Sequence, residues 1–354
     1  MRRALQLAAR GRGCTSPNPM VGATIVDGDG AVVGDGWHRR AGTPHAEIHA
    51  LAEAGPRAAG ATLVCTLEPC CHHGRTGPCV DAILSAGIAR VVAAVEDPDA
   101  RVAGQGFAKL RAGGVEVLTG VEQDAAVELN AAFFCATRRR RPWVIAKAGV
   151  SGDGMVAAGR GQRTAITSEA SRRDAQRRRA EVDAVAVGIE TVLADDPLLT
   201  VREVYRARPL TRVVFDRALR TPPAARLLST VSAGPVVVLG AAGAVQAADG
   251  RAGGLRRAGA MVVPFDGTLA DGLGTLAGLG VQSLLVEGGP RLHRALAEAG
   301  MIDQVELYIA PAVTLPGGVP FAPPGALPLA GLQDLRVEVL GDDVVLRGYV
   351  HRPH

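Results

Sequence analysis

Aromatic residues, lysine and long apolar runs are all scarce in this sequence of 354 residues. Phenylalanine, tryptophan and tyrosine make up 3% of it, which leaves few rings for stacking unpaired bases and argues against a groove for single-stranded nucleic acid. No run approaches the ~20 apolar residues of a membrane-spanning helix, and the first residues lack the apolar segment of a secretory signal. The sequence therefore predicts a cytoplasmic protein with no membrane and no nucleic acid as partner.

Cysteine is too infrequent for a disulfide scaffold, but its distribution is uneven. Four of the six cysteines lie between Cys65 and Cys79, a spacing that favours metal or catalytic chemistry in a reducing compartment. The net charge is only +4, and all basic residues except Lys109 and Lys147 are arginines. This mild positive charge suits a small anionic ligand.

The length and the order of apolar segments indicate two domains. A chain of 354 residues exceeds the roughly 250–300 residues that one core supports. Strand-like and helix-like segments alternate up to the arginine run 138–141, where the pattern breaks, and a second series begins at Trp143. We therefore predict an α/β fold with sheets covered by helices, divided into domains 1–140 and 141–354. The arginine run is interpreted as a solvated linker rather than a nucleic-acid patch.

The segment Pro44-His45-Ala46-Glu47, followed by Cys70 and Cys79, has the composition of a catalytic zinc site. One imidazole and two thiolates supply three tetrahedral positions and leave the fourth for water. Glu47, which is not a ligand, is placed to take a proton from that water and deliver it to a leaving amine. His45 and Glu47 lie at the predicted start of one helix and Cys79 at the start of another, where the helix dipole favours a thiolate.

Alternatives remain for this site. The zinc nucleobase-deaminase signature H-x-E…P-C-x-x-C is met in its first half only, because Cys79 follows Cys70 by nine positions; this argues against an ordinary cytidine or tRNA-adenosine deaminase. Cys71 competes with Cys79 as a ligand, although adjacent residues rarely reach one metal at good angles. A closed structural site would take its fourth ligand from His72, His73 or Cys65. We interpret His49 as a residue that packs near the site or contacts one of its ligands.

Three segments carry a resemblance to a known family: the stretch 66–79 (TLEPCCHHGRTGPC), Asn18-Pro19-Met20-Val21-Gly22, and Pro44-His45-Ala46-Glu47. Together they closely resemble the bifunctional riboflavin-biosynthesis deaminase/reductase (RibD/RibG) family, over nearly the whole chain. The resemblance implies a cytidine-deaminase-like three-layer α/β/α domain followed by a dihydrofolate-reductase-like α/β domain.

The family activity implied is hydrolytic deamination of 2,5-diamino-6-ribosylamino-4(3H)-pyrimidinone 5′-phosphate, then NADPH-dependent reduction of the ribosyl side chain. The partners are then a small pyrimidine ribotide and, with the oligomeric state left open, further copies of the chain. Zn²⁺ and NADPH are the implied cofactors. By similarity His45, Cys70 and Cys79 bind zinc and Glu47 shuttles protons. Asn18, His72 and Arg75 are expected to hold the pyrimidine or its phosphate.

The second half carries weaker signals when read from its residues alone. The segment 284–290 (LLVEGGP) is a strand, a glycine turn and a helix start, which can bind a phosphate on free amides but also fits an ordinary turn. The segment 194–197 (ADDP) reads as a plain Asx-Pro turn. Lys147 is expected at the end of the first strand of the domain. Its position is equally consistent with a functional cation and with a solvent-exposed one.

The family resemblance assigns these segments to the reductase cleft. The matching stretches are 147–154, 166–168, 191–202 and 287–290. The cofactor-binding residues implied are Gly149, Thr191, Asp195 and Gly289. The substrate-binding residues implied are Arg179, Leu199, Arg202 and Glu287. The arginines suit a 5′-phosphate, because a guanidinium donates two parallel hydrogen bonds.

Two departures from the family pattern fall in this cleft. Gly152 stands where the family has leucine, and Ala165 where it has tryptophan, so apolar contact area is lost. Arg163 and Arg217 stand where small polar residues are more usual. These departures support an alternative, a monofunctional deaminase with an inactive or altered reductase-like domain.

Overall fold

The computed structural model describes residues 1–72, 77–162, 164–247, 250–321 and 331–353. The chain separates into two compact units, residues 1–140 and Arg141–Arg352. We call these unit 1 and unit 2 and describe each by itself. In the part of the chain that is described, no helix combines the length and the apolar content needed to cross a membrane.

Unit 1 is built on a five-stranded sheet in the order β2-β1-β3-β4-β5. Its strands are β1 (Gly22–Val26), β2 (Val32–Trp37), β3 (Thr62–Cys65), β4 (Arg90–Ala93) and β5 (Glu116–Thr119). Its helices are α1 (Arg2–Ala9), α2 (Ala46–Ala54), α3 (Cys79–Ser85), α4 (Gln105–Ala112), α5 (Gln123–Leu129) and α6 (Ala131–Arg139). The strand β1 is antiparallel to β2 and β3, and β3, β4 and β5 are parallel.

Glycines in the sheet set how closely the helices of unit 1 approach it. A Cβ on Gly22 would lie 2.0 Å from the carbonyl oxygen of Ala4 in α1, and one on Gly36 would lie 2.1 Å from that of Ala46 in α2. Gly22 is the register partner of Trp37, so Gly22 and Gly36 face opposite sides of the sheet. Helices therefore cover both faces, which gives the three-layer α/β/α arrangement expected.

Unit 2 contains a nine-stranded sheet in the order β11-β10-β9-β8-β12-β6-β13-β16-β15. Its strands are β6 (Trp143–Ser151), β8 (Ala184–Gly188), β9 (Thr211–Phe215), β10 (Val236–Ala241), β11 (Met261–Phe265), β12 (Ser283–Gly288), β13 (Gln304–Ala310), β15 (Gln333–Leu340) and β16 (Asp343–Tyr349). The strands β7 (Met155–Ala157) and β14 (Val319–Pro320) form a separate pair. Neighbours from β11 to β13 are parallel, and β16 and β15 complete the sheet antiparallel.

The helices of unit 2 follow the strands in alternation. They are α7 (Glu169–Glu181), α8 (Ile189–Asp195), α9 (Ala242–Gln246), α10 (Arg251–Arg257), α11 (Leu269–Gly278) and α12 (Pro290–Glu298). Ser168 caps α7, its hydroxyl accepting from the amide of Ser171, and Thr268 caps α11 in the same way through Asp271. The parallel strands are apolar along their length because both faces of the sheet are covered.

The structure differs from three of the sequence interpretations. Lys147 lies inside β6 and not at its end, because the strand continues to Ser151. Residues 189–195 form α8, where only the turn 194–197 is expected; Ile189 and Val192 are buried one turn apart, and Asp196, with φ 40°, ends the helix before Pro197. The arginine run is not a solvated linker throughout. Arg141 is 12% exposed and bonds to the carboxylate of Asp303, so its charge is paired inside unit 2.

Candidate active sites

Three side chains of unit 1 bring their donor atoms together at the start of two helices. The Nδ1 atom of His45 lies 3.2 Å from Sγ of Cys79 and 3.5 Å from Sγ of Cys70. All three donor atoms lie within 4.8 Å of one another. Two ligands of a tetrahedral zinc, at ordinary Zn–N and Zn–S bond lengths, are about 3.6 Å apart, so this group fits the metal. Zinc would be held by His45 Nδ1 and the two sulfurs.

Other thiols and imidazoles considered as ligands lie elsewhere. The thiol of Cys71 is buried and faces the carbonyl oxygen of Arg101 at 3.9 Å, and Cys65 lies in the hydrophobic core. Among the described residues, neither these nor His72 joins the cluster. His73 lies outside the described residues. The geometry thus favours a site with three protein ligands, which keeps the fourth position open.

The environment of the two cysteines favours a thiolate. The hydrogen bond from the Cys79 thiol, with further bonds from His45 and the amide of Cys79, lowers the pKa of Cys70 to about 4. The hydrogen bond that the Cys79 thiol donates to Cys70 raises the pKa of Cys79. Because a thiolate is the form that ligates metal, Cys70 is prepared to bind a cation.

Glu47 lies beside the cluster on the first turn of α2 and is 3% exposed. Its Oε2 atom is buried and has no hydrogen-bond partner among the described residues. Burial raises the pKa of Glu47, against the charge of His45, which lowers it. A carboxylate with a raised pKa and an unused oxygen at the metal site can accept and return a proton.

Glu68, two residues before Cys70, is a structural carboxylate. Its oxygens accept hydrogen bonds from the amides of Asp97, Gly104, Gly106 and Phe107, at 2.9 to 3.2 Å. It therefore ties the loop that carries Cys70 to the start of α4. Asp97, in the segment between β4 and α4, is buried enough for its pKa to rise to about 6, with the charges of Asp99 and Glu68 contributing.

Asn18 contacts a histidine that the sequence analysis missed. The Nδ2 atom of Asn18 lies 3.1 Å from Nε2 of His38, whose Nδ1 lies 3.3 Å from the carbonyl oxygen of Pro44. That carbonyl requires a proton on Nδ1, so Nε2 accepts from the Asn18 amide and the orientation of Asn18 is fixed. Burial lowers the pKa of His38, which keeps this tautomer neutral. The one sequence signal was its place directly after β2, in the segment that precedes Pro44-His45.

The remaining predicted residues of the deaminase site are only partly described. His72 is half-buried, and its Nδ1 atom has no hydrogen-bond partner among the described residues. The pKa of Asp99 is lowered chiefly by its hydrogen bonds with Arg101, and His72 adds to the same effect. Arg75 lies outside the described residues. His49 does not enter the cluster; it lines a separate cavity with Arg10, Trp37 and Arg39.

Unit 2 contains a cavity of about 240 Å³ at the carboxyl ends of β8 and β12. Ligand sites in parallel sheets occur at such strand ends. Six of the eight residues assigned to the reductase cleft line it: Arg179, Thr191, Asp195, Leu199, Arg202 and Glu287. Arg226, which the sequence analysis did not single out, lines it as well. No local pattern marks Arg226, whose amide is held by Asp196 30 residues earlier in the chain.

Arg179 and Glu287 are paired with each other at the floor of this cavity. Two guanidinium nitrogens of Arg179 donate to the Glu287 carboxylate at 2.7 and 2.5 Å, and a third donates to the carbonyl oxygen of Thr200 at 2.9 Å. Burial alone would raise the pKa of Glu287, but Arg179 and Lys147 hold it at about 2. All three guanidinium nitrogens of Arg179 therefore already donate hydrogen bonds within the protein. Arg202 and Arg226 are exposed, so they are better placed to bind a phosphate.

Lys147 is a desolvated cation, not a solvated one. Its Nζ lies 5.1 Å from the ring centre of Tyr308, and its register partner on β13 is Glu306. Burial lowers the pKa of Lys147, while the charge of Glu287 raises it. The hydroxyl of Tyr308 donates to Asp174 at 2.7 Å, which fixes the ring under the ammonium group.

The turn from β12 to α12 brings backbone close to Thr191. A Cβ on Gly288 would lie 2.8 Å from Oγ1 of Thr191 and from a methyl group of Val187. Gly289 has φ 77° and is the N-cap of α12, which has no side-chain cap and begins with Pro290. Gly149 lies on β6, where a Cβ would approach Thr167 to 3.0 Å. The turn therefore fits a cofactor phosphate, and NADPH would be held by Thr191, Asp195 and the Gly288-Gly289 turn.

Leu199, at the wall of the cavity, is buried with φ 54°, a conformation that a branched side chain adopts only at a cost of about 1–3 kcal/mol. Packing explains why residue 152 is glycine, because a Cβ there would lie 2.5 Å from the carbonyl oxygen of Pro311. The local backbone thus leaves no room for the leucine of the family pattern. Ala165 is exposed, and Arg163 lies outside the described residues.

Comparison with protein families gives two matches that together span most of the chain. Residues 1–95 match the cytidine and deoxycytidylate deaminase zinc-binding region. Residues 142–346 match the RibD C-terminal domain, which uses NADPH. The first contains the cluster of His45, Cys70 and Cys79, and the second contains the cavity of unit 2.

Full-length relatives carry both regions. The riboflavin biosynthesis protein RibD of Aquifex aeolicus is 40% identical over 353 residues, covering 98% of this chain and 96% of the relative. The Escherichia coli RibD protein is 41% identical, covering 88% of this chain and 86% of the relative.

Solved structures agree with the fold of the whole chain. Acinetobacter baumannii RibD superposes with a TM-score of 0.85 at 34% identity, covering 98% of this chain and 97% of that structure. A diaminohydroxyphosphoribosylaminopyrimidine deaminase/5-amino-6-(5-phosphoribosylamino)uracil reductase from Thermotoga maritima superposes with the same TM-score at 30% identity, covering 99% and 97%. With a zinc cluster in one unit and a reductase cavity in the other, the chain belongs to the RibD family of bifunctional deaminase/reductase enzymes of riboflavin biosynthesis.

Proposed function

We propose that the chain deaminates 2,5-diamino-6-ribosylamino-4(3H)-pyrimidinone 5′-phosphate and then reduces the ribosyl side chain, giving 5-amino-6-(5-phosphoribitylamino)uracil. The observation that carries this proposal is the buried, unpartnered Oε2 of Glu47 beside the donor group of His45, Cys70 and Cys79. The Thermotoga maritima structure, whose description names both reactions, supports the choice of substrate. Residues 1–140 are the proposed deaminase domain and residues 141–354 the proposed reductase domain.

In the deaminase, water replaces an amino group on a ring carbon and ammonia leaves. Zinc, when bound, makes a water molecule acidic near neutral pH. Glu47 Oε2 takes the proton from the water and passes it to the departing nitrogen. Asn18, oriented by His38, hydrogen-bonds the pyrimidine edge, and His72 and Arg75 bind polar groups of the ribotide.

In the reductase, NADPH supplies a hydride to the sugar. Gly149, Thr191, Asp195 and the Gly289 turn bind the cofactor. Leu199, Arg202 and Glu287 face the substrate, and Arg179 holds Glu287 in place through its two hydrogen bonds. Lys147, a desolvated ammonium whose pKa is raised by the charge of Glu287, can donate a proton to the sugar oxygen as the hydride is transferred to carbon.

The proposed substrate is a small phosphorylated pyrimidine, and we propose that nucleic acid is not a partner. We place the protein in the cytoplasm, since Cys70 and Cys79 need to remain reduced to bind zinc. We further propose that the chain forms a homo-oligomer.

The alternative, a deaminase with a silent reductase domain, rests on Gly152 and Ala165. One experiment separates the two: product mass analysis after incubating the purified protein with the diaminopyrimidine ribotide, Zn²⁺ and NADPH. We expect the deaminated ribityl product. A deaminated product that keeps its ribosyl group would support the alternative, and an unchanged ribotide would contradict both.

A further inference from the structure

Unit 1 contains a cavity of about 440 Å³ that no step of the proposed deamination uses. Its walls come from α1, from β2 and the residues after it, and from α2. The lining residues are Arg3, Gln6, Leu7, Arg10, Asp35, Trp37, Arg39, His49 and Glu53. A volume of this size is within the usual range for a small-molecule site. None of the zinc-ligating side chains lines it, so any ligand bound there would be separate from the metal.

Two arginines of this cavity are positioned by an aromatic ring and not by a carboxylate. The guanidinium carbons of Arg10 and Arg39 each lie 5.0 Å from the ring centre of Trp37, a distance at which a cation is attracted to an indole. Among the residues that the structure describes, neither arginine forms an ion pair or donates a side-chain hydrogen bond. The donors of both guanidinium groups are therefore ordered and unused.

The carboxylates of the cavity already have partners. Asp35 accepts hydrogen bonds from Nε of Arg3 and from the hydroxyl of Thr24, both at 2.9 Å. The hydrogen bond with Arg3 lowers the pKa of Asp35, so the pair stays charged. Glu53 accepts from the amide of Asp35 at 3.0 Å. The charges that remain available to a ligand are therefore positive.

Neutral donors complete the cavity. The Nε2 atom of His49 is buried and has no hydrogen-bond partner in the described part of the chain. Burial and the charge of Arg39 lower the pKa of His49, so its ring is neutral and donates when Nε2 carries the proton. A buried polar atom without a partner is costly, and a ligand oxygen would remove that cost. An anion with several oxygens is the ligand that these donors match.

We propose that this cavity binds the phosphate group of a small phosphorylated molecule, with Arg10 and Arg39 as its main ligands and His49 as a further donor. Guanidinium groups match phosphate because they donate parallel, charge-assisted hydrogen bonds to its oxygens. The cavity is larger than a phosphate ion, which favours a phosphate monoester over inorganic phosphate. The site adds to the proposed function and does not depend on it.

The cavity adjoins a segment that the deaminase site uses. His38 directly follows Trp37 in the chain, and its Nε2 atom lies 3.1 Å from Nδ2 of Asn18. Arg39 follows His38 and lines the cavity. A ligand on Trp37 and Arg39 would therefore contact the chain on both sides of the histidine that orients Asn18.

Tryptophan fluorescence tests the site directly, because the chain contains only Trp37 and Trp143. Trp143 is buried in unit 2, and Trp143→Phe leaves Trp37 as the single reporter. The full-length, zinc-loaded variant is titrated with ribose 5-phosphate and with inorganic phosphate at constant ionic strength. We expect a saturable change in fluorescence, with tighter binding of ribose 5-phosphate. Equilibrium dialysis of ribose 5-phosphate against the protein with Trp143 intact gives an independent measurement.

Charge-removing variants test the assigned ligands. Arg10→Gln and Arg39→Gln should each weaken binding at least tenfold, since each removes charge-assisted hydrogen bonds to the anion. Arg2→Gln on α1 and Arg40→Gln beside Arg39 are the matched controls, because both arginines are exposed and neither lines the cavity. The two controls should bind ribose 5-phosphate with unchanged affinity.

Three outcomes would overturn the proposal. The first is no saturable change in Trp37 fluorescence at millimolar ribose 5-phosphate, and the second is an equal loss of affinity in the control variants. The third, tighter binding of inorganic phosphate than of ribose 5-phosphate, would contradict the choice of a monoester. Ammonia release from the diaminopyrimidine ribotide, measured on the same samples, reports separately on the proposed function.

Discussion

Glu47 combines burial, a raised pKa and an oxygen without a hydrogen-bond partner, whereas Glu68 nearby is buried but accepts four backbone hydrogen bonds. The contrast separates a reactive carboxylate from a structural one, although both belong to motifs around zinc ligands. Only the first has capacity left to exchange a proton. A similar contrast holds in unit 2, where Arg179 is engaged with Glu287 and Arg226 is exposed to the cavity.

Glu47→Gln should abolish deamination and retain zinc. The amide cannot accept and return the proton, and general acid–base catalysis of this kind contributes about 10²–10⁴-fold. Ammonia release and bound zinc are the two measurements. Glu53→Gln is the control on the same helix, since its side-chain oxygen can still accept from the amide of Asp35. Full ammonia release by Glu47→Gln would rule out the assigned role.

The reductase should lose activity on the alkaline side at a pH set by Lys147. The pKa of Lys147 is lowered by burial, and its charged form is lost as the pH rises through that value. Glu287→Gln removes a charge that raises this pKa, so the alkaline limb should move to lower pH. The measurement is the pH profile of kcat/KM for NADPH oxidation with the deaminated ribotide. Glu190→Gln, an exposed acid paired with Arg220, is the control. An alkaline limb at the same pH in Glu287→Gln and in the unchanged protein would contradict the effect of Glu287 on the pKa of Lys147.

At the scale of elements, the reductase cavity depends on short connections after parallel strands. The β12–α12 turn brings Gly288 against Thr191 of α8, and the residues after α8 adopt left-handed conformations at Asp196 and Leu199. These features place the β12–α12 turn close to the residues after α8 that line the cavity. Substitutions in the turn should therefore lower the affinity for the cofactor while the fold of unit 2 is retained.

Gly288→Ala should weaken NADPH binding. The new Cβ would meet Thr191 Oγ1 at 2.8 Å and push the turn and Thr191 apart; overpacking of this kind destabilises a fold by about 1–3 kcal/mol. Titration with NADPH measures the change. Gly274→Ala in α11 is the matched control: nothing lies within 4 Å of its Cβ, and the change should stabilise the helix by roughly 0.5–1 kcal/mol. Equal NADPH affinity in both variants would contradict the role of the turn.

At the scale of the whole molecule, the two activities draw on different units. His45, Cys70 and Cys79 belong to unit 1, and the residues that line the cavity of about 240 Å³ belong to unit 2. Each unit has its own hydrophobic core, one around Ile25 and Leu63 and one around Val144 and Leu284. The family relationship explains why one chain contains both.

Removal of zinc with a chelator should stop ammonia release and spare NADPH oxidation when the deaminated ribotide is supplied. The reason is that Cys70 and Cys79 lose their metal while no described residue of the unit 2 cavity is a ligand. Added Zn²⁺ should restore deamination, and added Mg²⁺ should not, because thiolates bind it poorly. Parallel loss of both activities would show that the metal also supports the reductase.

The sequence alone determined the chemistry of unit 1 and the class of the fold. His45, Glu47, Cys70 and Cys79 are recognisable because metal ligation needs particular atoms at helix starts, and the alternation of apolar segments follows from the periods of strands and helices. The resemblance to the RibD/RibG family, confirmed by the comparisons, added the reductase and its cofactor.

Only the tertiary structure decided which polar side chains already form hydrogen bonds or ion pairs within the protein. His38 orients Asn18 from 20 residues away, and Glu287 engages Arg179 across 108 residues. Lys147 is desolvated in a sheet whose neighbouring strand β13 lies far along the chain. Such contacts depend on burial and on pairs brought together by folding, which local periodicity and residue type do not encode.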